Sequence, residues 1–268
     1  MKLISLNVFD GFFYKDLVDF IQAHKKTTDI FLFQEVCSAP AGVADVDKFP
    51  SRLYENLCAL LPEFQGRYTA TMHNFNPTDH DTEQPIDFGK ATFIREPLEI
   101  DSTGEVNVVG NILTFKPEDL LTIPSNFIYT QIHFGDLMLS ICNAHGLPFP
   151  GSKRDTPDRL EQSRELIEFL NKFPGEKIIA GDFNLLPDTK SIHMIEEAGY
   201  RNLITDFGIT TTRGTLNRKL HPEYEHGPEG FQEFADYTFV TPGVRVRSFE
   251  VPDLPISDHL PMILEFYI

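Results

Sequence analysis

The chain has no tryptophan, three cysteines and few basic residues among its 268 positions. Cys37, Cys58 and Cys142 lie far apart, without metal-motif spacing or the even number of a disulfide framework. Unpaired thiols are typical of a reducing compartment, so we expect a cytoplasmic protein. The first residues also lack the basic start, apolar stretch and small-residue cleavage site of a signal peptide.

Long apolar runs and linkers are missing too. No stretch of about 18 apolar residues is present, which predicts that no segment spans a membrane. No internal repeat, low-complexity tract or Pro/Gly/Ser-rich linker divides the chain. We therefore expect one domain over residues 1–268, a size that can bury a large core, and a monomer.

Positive charge is scarce, because 40 acidic residues face 23 basic ones and give a formal net charge of −17. Such a field repels a long polyanion, since non-specific nucleic-acid binding depends on Lys and Arg displacing counterions from phosphates. Solubility alone explains a high negative charge, and carboxylates that hold a cation add to the same total. The charge argues against a processive nuclease but not against a small phosphate substrate, because a bound metal reverses the local field.

Short β-type runs alternate with helical stretches along the chain. The runs Phe127–His133 and Leu137–Asn143 flank Gly135-Asp136, which predicts a hairpin. Thr156-Pro157 predicts a helix N-terminus, and Asp188 is a candidate cap for a second helix that ends near Gly199. The other predicted strands are Leu3–Asn7, Ile30–Gln34, Lys177–Ala180, Tyr237–Thr241 and Met262–Phe266, and the other helices Tyr14–His24 and Ser51–Leu61. Hairpins combined with crossovers favour stacked mixed sheets with helices outside.

Polar side chains follow several of these apolar runs, where loops gather on a stiff scaffold. Hard oxygen ligands of this kind suit Mg²⁺ or Mn²⁺ better than zinc. Any one such residue is more often a turn or a helix cap, so the set matters more than its members. The candidates are Asn7, Glu35, His145, Asp182, Asn184, Asp258 and His259.

Two short motifs sharpen this reading. In Gly181-Asp182-Phe183-Asn184, residues two apart point to the same side, so Asp182 and Asn184 can face one metal, phosphate oxygen or water. An Asx-type turn is the alternative explanation. In Ser257-Asp258-His259, a carboxylate precedes a base that titrates near neutrality. Such a histidine needs a carboxylate on its other ring nitrogen, and Asp236 is the candidate.

The ordered motifs resemble the endonuclease/exonuclease/phosphatase superfamily. They run across nearly the whole chain, and six motifs in order make coincidence improbable. Gly89-Lys90-Ala91-Thr92 also resembles a Gly-x-Ala strand of that group. The six motifs are Ser5-Leu6-Asn7, Phe33-Gln34-Glu35-Val36, Asn143-Ala144-His145, Gly181-Asp182-Phe183-Asn184, Asp236-Tyr237 and Ser257-Asp258-His259.

The resemblance implies a four-layer α/β/β/α sandwich of two mixed sheets flanked by helices, and Mg²⁺ or Mn²⁺ as cofactor. It implies Glu35 as the main metal ligand, with Asn7 and Asp258 near the metal. Asp182 and Asn184 would orient the attacking water and a phosphate oxygen. The remaining implied roles are catalytic. His259, paired to Asp236, would act on the nucleophile or hold the phosphate. His145 would face the transition-state oxygens or the leaving group.

Some positions depart from the family pattern or lie outside it. Leu6 stands where the first motif commonly has tryptophan, which changes packing behind the site. Lys153 and Arg154 follow the His145 motif and could clamp a substrate phosphate, although solvated loop charges explain them equally well. Arg213 is a further substrate-binding candidate by analogy with Arg-bearing loops of relatives. The polar stretch 72–88 is either a connection or a substrate-facing lid.

The sequence therefore predicts a metal-dependent hydrolase of phosphate esters, most simply a phosphodiesterase in which water attacks phosphorus. A nuclease that acts on DNA or RNA ends or lesions stays open, although neither the charge nor a basic-aromatic motif supports strong nucleic-acid binding. A catalytically silent scaffold of the same fold is the alternative from another class. Retention of every polar motif argues against it.

Overall fold

The computed structural model describes residues 1–74, 85–110, 115–116, 119–135, 137–222 and 230–268. Short, mostly β-branched and aromatic runs form strands, and longer amphipathic stretches form helices between them. The strands are β1 Lys2–Asn7, β2 Ile30–Ser38, β3 Phe64–Met72, β4 Asp87–Arg95, β5 Glu99–Val109, β6 Ser125–Phe134, β7 Leu137–His145, β8 Glu176–Asp182, β9 Arg201–Asn202, β10 Asp236–Val240, β11 Arg245–Glu250 and β12 Met262–Tyr267. The helices are α1 Tyr14–His24, α2 Leu53–Leu60, α3 Pro157–Leu170, α4 Lys190–Glu197, α5 Leu203–Asp206 and α6 Thr215–Leu220.

The strands form two six-stranded mixed sheets that pack face to face. The first has the order β11-β12-β1-β2-β4-β3, and the second β5-β6-β7-β8-β10-β9. Within each sheet one pair is parallel, β1 with β2 and β7 with β8. The predicted sandwich of two mixed sheets with flanking helices is confirmed.

Alternation along β2 explains how one strand serves two cores. Ile30 and Leu32 point between the sheets, where they join the large central cluster. Phe31 and Phe33 point to the outer face, into a second cluster that includes buried side chains of α1 and α2. The next inward position is Gln34, whose Nε2 donates to Asn143 Oδ1 of β7 at 2.7 Å. This buried hydrogen bond ties the two sheets together close to the ends of β2 and β7.

The predicted hairpin and the first predicted cap are both present. β6 and β7 pair antiparallel around Gly135, which has φ of +61°. Thr156 accepts from the Arg159 N–H and Pro157 begins α3. The expectation that Asp188 caps the following helix is wrong, because α4 begins at Lys190 and its N-terminal N–H groups are bound by the Asp155 carboxylate, from 2.8 to 2.9 Å.

Candidate active site

Three predicted catalytic side chains form a row across the ends of β7, β8 and β10. His145 is the register partner of Asp182, and Asp182 is the register partner of Asp236. Gly181 allows this close approach, since a Cβ there would lie 2.0 Å from the Ala144 carbonyl oxygen and its φ is +146°. The sheet register therefore brings together residues that are more than 90 positions apart in sequence.

Glu35 reaches the site through a β-bulge. The pairing of β2 with β4 shifts between Gln34 and Val36, and Glu35 between them has φ of +54°. A bulge redirects the side chain of the extra residue, which in a regular strand would share the outer face with Phe33. A non-glycine residue in the left-handed region costs of order 1–3 kcal/mol, and such strain concentrates at functional sites.

Asn7 connects the two sheets at the centre of the site. Its Nδ2 donates to Glu35 Oε1 at 2.9 Å and to Asp182 Oδ2 at 3.0 Å. Its Oδ1 accepts from the backbone N–H of Phe9 at 3.0 Å. In this orientation the amide aligns the two carboxylates, and the role of Asn7 as a direct metal ligand stays a prediction.

The motif before β12 docks against the end of β1. Ser257 Oγ donates to the Asn7 carbonyl at 2.7 Å, which fixes Asp258 and His259 beside the row of catalytic side chains. His259 Nδ1 lies 2.7 Å from Asp236 Oδ2, and its Nε2 lies 3.7 Å from Asp182 Oδ2. The predicted pairing of His259 with Asp236 is thus present in the structure.

Burial disfavours the protonated form of His259, but the surrounding negative charge outweighs it. The carboxylates of Asp236, Asp258 and Asp182 raise the His259 pKa to about 9 despite the repulsion of Arg213. His259 is therefore protonated at neutral pH in the metal-free protein, and its Nε2–H lies on the side of Asp182 Oδ2.

Asp182 is the hub of the site. Its Oδ1 accepts from the Asn184 N–H at 2.8 Å, so the Asx-type turn exists together with the proposed functional arrangement. Its Oδ2 faces Asn7 and both histidines. Burial alone would raise its pKa, but His259, His145 and nearby cations hold it below its ordinary value. Asp182 is consequently an ionised, buried carboxylate.

His145 differs from His259 in its charge. Its Nε2 is buried, has no hydrogen-bond partner among the residues that the structure describes, and lies 3.7 Å from Glu35 Oε1 and 3.9 Å from Asp182 Oδ2. Burial lowers its pKa to about 4, so this ring is neutral at pH 7. A buried ring nitrogen without a partner is costly, and it is suited to a substrate oxygen that reaches the site.

The three predicted substrate-binding cations have different surroundings. Lys153 is half-buried, and its Nζ contacts Asn184 Oδ1 and the Pro148 carbonyl. Burial, and repulsion by Arg213, lower the Lys153 pKa to about 7. Arg213 is buried, with its guanidinium 4.0 Å from Asp258 Oδ2, and its Nε has no hydrogen-bond partner in the described part of the chain. Arg154 forms an exposed bidentate ion pair with Asp188 at 2.6 and 2.7 Å.

Sequence reasoning missed two residues that shape the site. Arg159 of α3 is fully buried and donates to the carbonyls of Leu147, Pro150 and Arg154, which organises the loop that carries Lys153. Asp10 is a buried carboxylate whose pKa is raised by burial and by the charge of Glu35. Arg159 gave no signal because it stands among the other polar residues of a helix. Asp10 gave none because it lies three positions after the Ser5-Leu6-Asn7 motif and is not part of it.

The donor set suits a hard divalent cation. Carboxylate oxygens of Glu35 and Asp182 and a ring nitrogen of His145 lie within 4.8 Å of one another, as do donor atoms of Asp182, Asp236 and His259. Burial and the charge of Asp258 raise the Glu35 pKa to about 7. A bound cation would relieve this accumulation of negative charge, and oxygen-rich sites favour Mg²⁺ or Mn²⁺.

The sequence model of the Endonuclease/Exonuclease/phosphatase family matches residues 4–259. The chain belongs to that family. The matched region contains every catalytic and metal-binding residue predicted from the sequence. Members of this family are phosphoesterases or nucleases. No helix in the described part of the chain is both long and apolar enough to cross a membrane.

Solved structures of the family share the fold across the whole chain. An endonuclease/exonuclease/phosphatase from Bacteroides vulgatus is 17% identical with a TM-score of 0.71, covering 100% of this chain and 98% of its own. The Bacteroides thetaiotaomicron mannosyl-6-phosphatase Bt3783 is 14% identical with a TM-score of 0.69, covering 100% of both chains. The human Nocturnin catalytic domain is 14% identical with a TM-score of 0.68, covering 100% of this chain and 93% of its own.

A curated relative from Vibrio vulnificus strain YJ016, UPF0294 protein VV2535, is 24% identical over 155 residues. The match covers 56% of this chain and 47% of the relative, so the chain spans about half the length of the curated relative it matches. The stretch 72–88, for which the sequence left a connection or a substrate-facing lid open, lies largely outside the described residues, since 75–84 are not among them.

Proposed function

We propose that this protein hydrolyses phosphate esters with Mg²⁺ or Mn²⁺, and that its preferred substrates are phosphodiesters. The observation that carries the proposal is the setting of Asp182. An ionised carboxylate lies between the neutral ring of His145 and the imidazolium of His259, and each histidine points a ring nitrogen at it. Phosphoester hydrolysis needs this combination of a proton acceptor and donors to developing negative charge.

The metal would be held by Glu35, with Asp258 and Asn7 beside it. When bound, the ion neutralises charge on the phosphate oxygens.

The proton steps follow from the charges of the side chains. Asp182 accepts the proton of the attacking water, because it is ionised and its Oδ2 faces the site. His259 donates a hydrogen bond to a phosphate oxygen, and Asp236 stabilises the imidazolium. His145 Nε2 faces the leaving-group oxygen. Asn184 aligns the phosphate, and no covalent intermediate is required.

Two cations supplement these groups. Lys153 is half-buried and Arg213 is buried at the site, and among the described residues the Arg213 Nε has no hydrogen-bond partner. An arginine is suited to holding a tetrahedral anion through several N–H groups, and a desolvated charge is stronger than an exposed one. Intact polar contacts around Asp182 argue against a silent scaffold, because unused buried polar groups destabilise a fold.

Metal removal tests the proposal. Purified protein is treated with EDTA, and hydrolysis of bis-p-nitrophenyl phosphate and p-nitrophenyl phosphate is measured before and after adding back Mg²⁺ or Mn²⁺. We expect activity that returns with the metal and a larger kcat/KM for the diester. Activity that survives complete chelation would overturn the metal dependence, and a larger kcat/KM for the monoester would overturn the diester preference.

A further inference from the structure

Four phenylalanines form a group at the turn that follows β1, which we call the aromatic rim and define as Phe9, Phe12, Phe13 and Phe49. Ring centroids are 5.5 Å apart for Phe9 and Phe12, 6.2 Å for Phe9 and Phe49, and 4.9 Å for Phe12 and Phe13. Phe9, Phe12 and Phe13 are partly exposed. Within the described residues, none of the four belongs to a hydrophobic core cluster.

The aromatic rim begins directly beside the catalytic groups. The Phe9 N–H donates to Asn7 Oδ1, the residue that aligns Glu35 and Asp182. The Phe9 ring lies 6.4 Å from the ring of His221, and His221 Nε2 lies 3.9 Å from Asp258 Oδ2. His221 therefore lies between Asp258 and Phe9, and an organic group attached to a phosphate in the site would contact these rings.

The backbone that carries the rim is strained. Phe9, Asp10 and Gly11 have successive φ values of +48°, +52° and +74°. Two of these three are not glycine, and each costs of order 1–3 kcal/mol in the left-handed region. A Cβ on Gly11 would come within 2.9 Å of Pro50, so the turn is pressed against the segment that carries Phe49. The partly exposed ring of Phe9 is therefore carried by a turn that is fixed against its surroundings.

We propose that the aromatic rim binds a planar ring in the organic part of the substrate, so that the preferred ester is the size of a single nucleotide. This rests on the proposed function. Stacking of a flat ring on Phe, Tyr or Trp is worth enough to set specificity, and it does not depend on base identity. A single ring also fits the net charge of −17, which repels a long nucleic acid.

Phe9 is the ring that decides the proposal. One face of Phe12 is covered by the Lys48 ammonium, 4.7 Å from the ring centroid. Phe9 lies nearer the catalytic groups, between Phe12 and His221. Its replacement by leucine keeps apolar bulk and the same backbone requirement, and it removes only the ring face.

The test uses two ligands that differ by the base alone, thymidine 5′-monophosphate and 2-deoxyribose 5-phosphate. Each is measured as an inhibitor of Mn²⁺-dependent bis-p-nitrophenyl phosphate hydrolysis, and its binding is measured separately by calorimetry. We expect the base to tighten binding by at least about fivefold, the lower end of the stacking contribution of one base. Phe9→Leu and Phe12→Leu should reduce that ratio, and Phe9→Leu more.

Phe207→Leu is the matched control, since this exposed ring packs on Phe249 of β11. It should keep the wild-type ratio. Equal binding of the two ligands by the wild-type protein overturns the proposal. An unchanged ratio of the two affinities in folded Phe9→Leu also overturns it. So does tighter binding of an aliphatic phosphate, such as octyl phosphate, than of the nucleotide. Base-dependent binding without hydrolysis of any ester would overturn the proposed function and leave this inference standing.

Discussion

Replacing Asp236 with asparagine removes one negative charge from a buried pair and changes almost nothing in shape. Asp236 Oδ2 lies 2.7 Å from His259 Nδ1, and the two residues are 1% and 3% exposed. The charge is thus shielded very little by water. This makes the contact a sensitive place to test how the site handles protons.

The expected magnitude follows from the change in hydrogen bonding. A hydrogen bond to a charged group contributes about 1.5–3 kcal/mol, against about 0.5–1.5 kcal/mol for a neutral one. Asp236 is also the largest of the attractive charges that raise the His259 pKa to about 9 against the effect of burial. Without it the imidazolium loses its proton at lower pH, and we expect kcat to fall by about 10²–10⁴-fold, the usual contribution of a positioned acid or base.

The assay is hydrolysis of bis-p-nitrophenyl phosphate with saturating Mn²⁺ between pH 6 and pH 9.5. Asp236→Asn should lower kcat and move the high-pH limb of the profile to lower pH. Asp19→Asn is the control, because it makes the same substitution in an exposed ion pair with Lys15, where we expect little change. A kcat within threefold of wild type and an unmoved limb would refute the reasoning.

Three further predictions concern charge and packing. Because the Glu35 pKa is raised to about 7, the metal-free native state keeps a proton that the unfolded state releases. The free energy of unfolding in EDTA should therefore fall as pH rises from 4.5 to 7, while the Mg²⁺ affinity measured by calorimetry increases. The opposite slopes would contradict this. Lys90 is fully buried against the neutral groups of Thr71 and Asn126, and burial lowers its pKa to about 7. Lys90→Met should therefore raise the free energy of unfolding in urea by about 1–4 kcal/mol, with the largest gain below pH 7. A loss of stability would show that the buried ammonium does not destabilise the native state. Gly181→Ala should lower the melting temperature strongly, since its Cβ would lie 2.0 Å from a backbone carbonyl oxygen of β7, and an unchanged melting temperature would show that the strands can separate.

The fold was predictable where burial imposes a pattern and not at the sheet edges. β3, β5, β9 and β11 went unpredicted, and all four are edge strands, whereas the inner strand β4 was indicated only by the family resemblance of Gly89-Lys90-Ala91-Thr92. Most residues of β5 and β11 are exposed or half-buried, so they lack the apolar alternation that identifies an inner strand. The α4 cap was missed for a related reason, because Asp155 is 35 positions away and only tertiary structure brings it to Lys190.

The membership of the site was more predictable than its geometry. Asp182 was identified as a polar residue after an apolar run and His259 as one before the last strand, because strand ends gather where loops form sites. The bulge that redirects Glu35 is set by its pairing with β4 and left no mark in the local pattern. Lys153, whose φ is +56°, contacts Asn184 in the site, whereas the neighbouring Arg154 pairs with the exposed side chain of Asp188. Neighbouring cations with the same local sequence signal can thus have entirely different partners.

In the proposed mechanism, Asp182 drives the attack of water on a phosphate ester. The most direct measurement compares kcat of wild-type protein and Asp182→Asn on bis-p-nitrophenyl phosphate with saturating Mn²⁺, after circular dichroism shows that both are folded. The account predicts a loss of at least about 10²-fold, as expected when a general base is removed. A folded Asp182→Asn protein with a kcat within threefold of wild type would contradict it.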